Sequence, residues 1–181
     1  DLRQVQGIRE IAGDIVIGII GSYIGTWLLP QLGFQLGGGI AAAIFNATIG
    51  AVESLFSDDE WRATDAVAGI ESRGFILAAA LADRRGKGFV PIRKKGKLPP
   101  PVVDVAYDLE YGSGVLEMQT GRGRLLLVDD VLATGGTLGA SAALARLAGY
   151  TLGGMGVLLD LGMVTDFRCD GFEARSVLQY G

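Results

Sequence analysis

The sequence predicts an α/β protein, with a parallel sheet flanked by helices and an apolar helical hairpin ahead of it. Three observations carry that reading. The run Leu125-Leu126-Leu127-Val128 is continuous, branched and apolar, and it stops abruptly at two adjacent carboxylates, Asp129 and Asp130. Such a run suits a strand buried on both faces, the pattern of parallel sheets. Beyond residue 65, strand-like, loop-like and helix-like stretches alternate, as parallel crossover units require. Before residue 53 the grammar differs: positions 15–52 contain no charged residue at all.

Taken in order, 15–29 is one apolar run, Pro30-Gln31-Leu32-Gly33 reads as a turn, and 36–52 is a second run rich in Gly and Ala. Each is slightly short of the roughly 20 residues that span a bilayer upright. Gly18, Gly21 and Gly25 recur at a spacing that lets helices approach closely in lipid. Arg3 and Arg9 precede the pair, so both hairpin ends would lie on the cytoplasmic side. The expectation is a first region, 1–53, embedded in a membrane through 15–52. The competing reading makes these runs buried elements of a soluble domain. A cleaved signal peptide fits poorly, because two runs follow one another. Residues 54–64, centred on Ser57-Asp58-Asp59-Glu60, are the seam, and 65–181 form the second domain.

Residues 65–70 read as a strand, Glu71-Ser72-Arg73-Gly74 as a turn, and 75–85 as a buried helix stopped by basic residues and Gly86. A short strand follows at 88–92, then a basic, proline-rich loop at 93–101. Residues 102–119 suit a hairpin around Tyr111-Gly112-Ser113-Gly114. After the Asp129-Asp130 strand comes a helix from about Leu138 to Ala148, closed by Gly149, and a strand at 156–161.

Composition removes several function classes. The net charge of −4 offers no basic field, so nucleic acid is not an expected partner. The chain has no histidine, which leaves proton chemistry to carboxylate, tyrosine or lysine. The single Cys169 cannot make an intrachain disulfide and lacks the paired spacing of a zinc site; it reads as a buried thiol in a reducing compartment.

The chemistry concentrates after the buried strand. Backbone N–H groups of Ala133, Thr134, Gly135, Gly136 and Thr137 can converge on phosphate oxygens, with a helix dipole behind them and two threonine hydroxyls beside them. Asp129 and Asp130 can accept hydrogen bonds from neighbouring sugar hydroxyls, so a phosphorylated sugar is the expected guest. The bland alternative, a surface turn with a capping Thr, fits badly with two acids at the end of a buried strand. Ser72, Arg73 and Gly74 offer a guanidinium and backbone donors; taken alone they could also be a helix start with a solvated arginine. Arg93, Lys94, Lys95 and Lys97 supply local positive charge, and alone they read equally as a solvated face.

Four motifs in this order resemble the purine phosphoribosyltransferases, over about 65–180. Val67-Ala68-Gly69-Ile70-Glu71-Ser72-Arg73-Gly74-Phe75 is similar to the family's pyrophosphate loop, and Pro91-Ile92-Arg93-Lys94-Lys95-Gly96-Lys97-Leu98-Pro99 to its basic segment. Tyr107-Asp108-Leu109-Glu110-Tyr111-Gly112 is similar to its mobile catalytic loop, and Asp129 through Thr137 to its ribose-phosphate signature. The resemblance implies a type I phosphoribosyltransferase-like fold. It implies transfer from phosphoribosyl pyrophosphate, with Mg²⁺, to adenine, giving AMP and pyrophosphate in purine salvage. Arg73 and Lys97 would hold pyrophosphate, Glu110 would act as general acid/base, and Tyr111 would cover the site. Asp129 and Asp130 would hold the ribose hydroxyls and, through water, the metal. Ala133 stands where 6-oxopurine enzymes generally place an aspartate, which implies adenine. A cytoplasmic homodimer is implied too, its basic segment reaching the neighbouring subunit's site. The family's N-terminal Pro-Gly-Ile/Phe-Asp-Ile-type segment, part of the base pocket, has no counterpart string here. Two alternatives follow: a non-catalytic module that binds the donor or a nucleotide, and a divergent transferase tethered to the inner membrane. For 15–52 the strings Ile17-Gly18-Ile19-Ile20-Gly21, Gly25-Thr26-Trp27-Leu28-Leu29-Pro30, Gly37-Gly38-Gly39-Ile40 and Asn46-Ala47-Thr48-Ile49-Gly50-Ala51 resemble small bacterial transglycosylase-associated membrane proteins.

Overall fold

The computed structural model describes residues 39–109 and 112–180. The chain divides into two compact units, 1–47 and 48–181. In the second unit, strand β1 (Ala66–Ile70) is buried at every position. It lies between β2 (Gly88–Lys94) and β5 (Gly123–Leu132), parallel to both. Beyond β5 come β6 (Tyr150–Asp160) and β8 (Phe172–Gln179), again parallel, and then the short β7 (Arg168–Cys169), antiparallel to β8. On the other side β4 (Gly112–Gln119) and β3 (Val102–Leu109) complete the order β3-β4-β2-β1-β5-β6-β8-β7. The parallel core that the sequence predicts, β2-β1-β5-β6-β8, is present, and antiparallel strands at both edges, the expected 102–119 hairpin among them, make the whole sheet mixed. Only two residues separate β3 from β4, which forces that pair antiparallel. The hairpin then joins the main sheet through two register pairs, Arg93 with Glu117 and Lys94 with Leu116.

Alternation along β1 and β5 sends side chains to two cores. Val67, Leu126 and Val128 face a cluster with Leu77, Ala78 and Leu81 of α3 (Arg73–Arg85). Ala68, Leu125 and Leu127 face the other, with Ala142, Leu144 and Ala145 of α4 (Gly136–Leu147). Gly86 ends α3 in the left-handed region (φ 61°), its N–H donating to the Ala82 and Asp83 carbonyls, as its sequence position predicts.

The stretch read as a seam is a packed cap. Ser57 begins α2 (Asp58–Ala63) with a capping box: its hydroxyl accepts from the Glu60 N–H, and Glu60 Oε2 accepts from the Ser57 N–H at 2.8 Å. Trp61 is buried edge-on to Phe56, and its indole N–H donates to the Glu53 carbonyl at 3.1 Å. Arg175 of β8 donates to both Glu60 oxygens (2.7 and 3.0 Å) and to the Leu55 carbonyl (2.7 Å). The second apolar run contains α1 (Gly39–Glu53), whose Ile49 and Val52 are buried in the α3-side core. Among the described residues no helix is long and apolar enough to cross a membrane. The rest of the expected hairpin, up to residue 38, lies outside the described residues.

Further differences concern element ends. β5 runs on through Asp129 and Asp130 to Leu132, two residues past the carboxylates that the sequence places at its tip. β6 begins at Tyr150, six residues before the sequence predicts, and β7 and β8 were not foreseen. Cys169 is half-buried on β7, where a buried thiol is expected, because β7 is a two-residue edge strand.

Candidate active site

A cleft of about 410 Å³ opens at the carboxyl ends of β1 and β5, where open α/β sheets hold ligands. After β1 it is lined by Glu71, Ser72 and Arg73; from β5 by Asp129, Asp130, Val131 and Leu132; from the next loop by Ala133, Thr134 and Gly135; from the start of α4 by Gly136 and Thr137; and from β3 by Tyr107. The peptide between Glu71 and Ser72 is cis.

Asp129 Oδ1 accepts the Asp130 N–H at 2.9 Å. The α-carbon of Gly74 packs directly against this carboxylate: a β-carbon there would stand 2.7 Å from Oδ1. Burial first, and the neighbouring Asp130 charge after it, push the Asp129 carboxyl up to about 7, against the opposing pull of the Asp130 N–H and Arg73. Asp130 pairs with Arg73 Nε at 2.7 Å. The Arg73 side chain is 76 % exposed, so solvent screens this pair and a stronger anion can compete for the guanidinium.

The loop after β5 owes its shape to Gly135, which takes φ +80° at the N-cap of α4. A β-carbon there would meet Phe167 Cε2 at 2.3 Å, so the aromatic ring props the loop from below. No acidic residue occupies the first turn of α4, which leaves its N-terminal N–H groups and dipole available to an anion.

Glu71 ties the cleft to the basic segment. It accepts from Arg93 Nε and Nη2, both at 3.3 Å, and from the Lys94 N–H at 3.0 Å. The Lys94 N–H foremost, then Arg93, lowers the Glu71 carboxyl below its ordinary value. Arg93 also lies over the Phe75 ring, 5.9 Å from its centroid.

The structure thus brings together Ser72, Arg73, Asp129, Asp130, Ala133, Thr134, Gly135, Gly136 and Thr137, with Gly74 as their support. Among the described residues Arg93, Lys94 and Lys97 do not line the cleft; Arg93 and Lys94 are joined to it through Glu71. Glu110 and Tyr111 lie outside the described residues. Two acids that sequence reasoning passed over organise this region: Glu71, which lines the cleft, and Glu117, which accepts N–H groups of the basic segment away from it. The signal for Glu71 was its place in the Glu-Ser-Arg-Gly string. Among the described residues no group of three or more metal-ligating side chains exists. Two carboxylates at the edge of an open cleft suit a magnesium ion carried chiefly by substrate phosphates and water.

Residues 40–155, more than half of the chain, match the family model for the phosphoribosyl transferase domain. Residues 15–56 match the model described as transglycosylase associated protein. The adenine phosphoribosyltransferase of Hydrogenovibrio crunogenus is 48% identical over 137 residues, covering 75% of this chain and 80% of that protein. Its counterpart in Bdellovibrio bacteriovorus is 52% identical over 116 residues, covering 64% and 70%. Among solved structures, the adenine phosphoribosyltransferase of Rhodothermus marinus superposes with a TM-score of 0.66 at 40% identity, covering 74% of this chain and 78% of that one. The Giardia lamblia enzyme, solved with 9-deazaadenine, gives 0.67 at 33% identity, covering 77% and 81%. These relatives are named as enzymes, and they lend no support to a non-catalytic binding module. The cleft, its order of motifs and these matches agree, and the chain belongs to the phosphoribosyl transferase domain family.

Proposed function

We propose that the protein is an adenine phosphoribosyltransferase, joining adenine to the ribose of phosphoribosyl pyrophosphate to release AMP and pyrophosphate. The observation that carries this reading is the convergence of an arginine turn, an acidic strand end and a glycine loop on one cleft. The loop of Ala133, Thr134, Gly135, Gly136 and Thr137 takes the 5′-phosphate, and Asp129 and Asp130 take the ribose hydroxyls. Arg73, with the backbone of Ser72 and Gly74, takes the pyrophosphate, and the cations of Arg93, Lys94 and Lys97 add to its attraction. Ala133 leaves room for adenine beside the sugar.

In the reaction the bond from the anomeric carbon to pyrophosphate breaks as the bond to purine N9 forms, and N9 gives up its proton. Positive charge grows on the sugar ring, close to Asp129 and Asp130. Glu110 receives the purine proton, and Tyr111 closes over the site to exclude water. Asp129 and Asp130 would hold a donor-bound magnesium ion through water, and that ion would supply charge neutralisation for the departing pyrophosphate.

The test uses purified protein with adenine, phosphoribosyl pyrophosphate and Mg²⁺. AMP and pyrophosphate are expected in equal amounts, and Glu110→Gln should lower kcat by about 100-fold or more with donor binding intact. A protein that binds the donor yet forms no AMP overturns the reading. A homodimer in the cytoplasm is the proposed working state. The match of 15–56 to a transglycosylase associated protein favours a second reading of location, tethering to the inner membrane through 15–52 with the catalytic unit in the cytoplasm. Carbonate extraction of expressing cells decides it: retention in the pellet supports the tether, and release removes it.

A further inference from the structure

Glu117 is a buried carboxylate that no part of the reaction uses. It lies on β4 with 3% of its surface exposed, between the core residues Leu116 and Met118. Its two oxygens accept three consecutive backbone N–H groups from the basic segment: Gly96 at 2.8 Å, Lys97 at 2.6 Å and Leu98 at 2.6 Å. Successive N–H groups converging on one anion make a nest, an arrangement that usually holds a phosphate. Here the anion belongs to the protein, and the nest's purpose is to shape the chain that forms it. The three N–H groups, Gly96 first, hold the Glu117 carboxyl below its ordinary range, so it stays charged in its buried position.

The loop has other ties, the Lys95 N–H to the Val115 carbonyl at 3.0 Å and Arg93 Nη1 to the Lys97 carbonyl at 3.2 Å, and Glu117 alone among these partners gathers three of its N–H groups. Residues 94–97 are exposed, and at Gly96 (φ +82°) an added β-carbon would meet nothing within 4 Å. Lys95 is committed to Asp104 at 2.8 Å, and the Lys94 N–H to Glu71. Among the described residues the ammonium groups of Lys94 and Lys97 have no carboxylate partner within ion-pair distance. A lysine on a free loop must be ordered when it meets a ligand, at an entropic cost that preorganisation removes.

We infer that Glu117 is a positioning residue for the pyrophosphate end of the donor. From beneath the loop it fixes the backbone of Gly96, Lys97 and Leu98 so that Lys97 is presented in one place. The inference rests on the function proposed above. It assigns Glu117 an effect on the donor alone, acting through Lys97, and none on adenine or on proton transfer.

The experiment compares wild type, Glu117→Gln, Lys97→Ala and the double variant. Glutamine keeps the shape but loses the charge and one acceptor, so at least one N–H loses its partner. Glu117→Gln is expected to raise the KM for phosphoribosyl pyrophosphate about tenfold, the scale of one lost charge-assisted hydrogen bond. The KM for adenine and kcat should stay within about twofold of wild type, a split that general unfolding would not produce. Added to Lys97→Ala, the change should have little further effect, because both remove the same contact. Amide hydrogen exchange at Gly96, Lys97 and Leu98 should quicken in Glu117→Gln. A uniform fall in all kinetic constants, full additivity with Lys97→Ala, or unchanged exchange overturns the inference. Should Glu117→Gln fail to fold, Gly96→Ala strains the same loop from its open side and must give the same split. A wild type without AMP synthesis would refute the function instead. Exchange at these amides and calorimetric binding of magnesium pyrophosphate would then judge the anchor by themselves: slow exchange with binding weakened by Glu117→Gln supports it, and equal binding in both proteins removes it.

Discussion

Asp129→Asn tests the claim that burial raises the titration of a carboxyl at the end of β5 into the physiological range. The acid is pushed up to about 7 from an ordinary 3.8. A carboxyl with a raised folded-state pKa favours the folded protein while it is protonated. That contribution is fully present below 3.8 and is lost as pH rises through about 7. The gap between the two values sets an upper limit of about 4 kcal/mol on the loss. Water at the open cleft and the opposing Arg73 charge reduce the expected figure to about 1–2 kcal/mol. Asparagine can still accept the Asp130 N–H but never ionises. Urea unfolding at a series of pH values should find Asp129→Asn and wild type alike near pH 3, below the unfolded value of 3.8, and the variant more stable by that amount at pH 8.5. A pH-independent difference, or a variant less stable at pH 8.5, would refute the reasoning. The same variant should lose activity, since asparagine offers the ribose hydroxyls one acceptor fewer.

Two further outcomes follow from the packing. Gly135→Ala puts a methyl group into the Phe167 ring at a φ of +80°; stability should fall by about 2 kcal/mol or more, and the KM for phosphoribosyl pyrophosphate should rise. The hydrogen bonds from Arg175 first, and those from Ser57 after them, lower the Glu60 carboxyl to about 2. Its contribution is present above 4.5 and lost as pH falls through about 2. Glu60→Gln should therefore cost about 1 kcal/mol at pH 7 after screening, and progressively less on acidification, as urea midpoints will read.

The strands that could be read from sequence were those whose burial is written locally. In β1 and β5 nearly every residue is apolar, and Gly86 and Gly149 punctuate the helices. The first half of β6 was illegible because its partners are distant in the chain. Gly154 and Gly156 are bare where the Phe56 ring lies, at 2.9 Å from where each β-carbon would stand. Glycine there weakens the local strand signal, and the reason for it sits about a hundred residues away. β8 mixes Glu, Ala, Arg and Ser because it lies towards one side of the sheet, and its Arg175 reaches back to the cap around α2. The cleft followed the same division. Asp129, Asp130 and the glycine loop are contiguous and could be read as one site. Glu117 could not, since a single acid between Leu116 and Met118 gives no sign of three N–H groups some twenty residues earlier.

The ring beneath Gly135 bears on how portable the phosphate loop is. Phe167 arrives from the segment after β6, touching the positions of both Gly135 and Gly139. A loop copied alone onto another strand and helix would keep its glycines but sit over a void, free to collapse into it. The smallest transplantable module is the loop together with its distant aromatic floor, and natural variation in either should be read against the other.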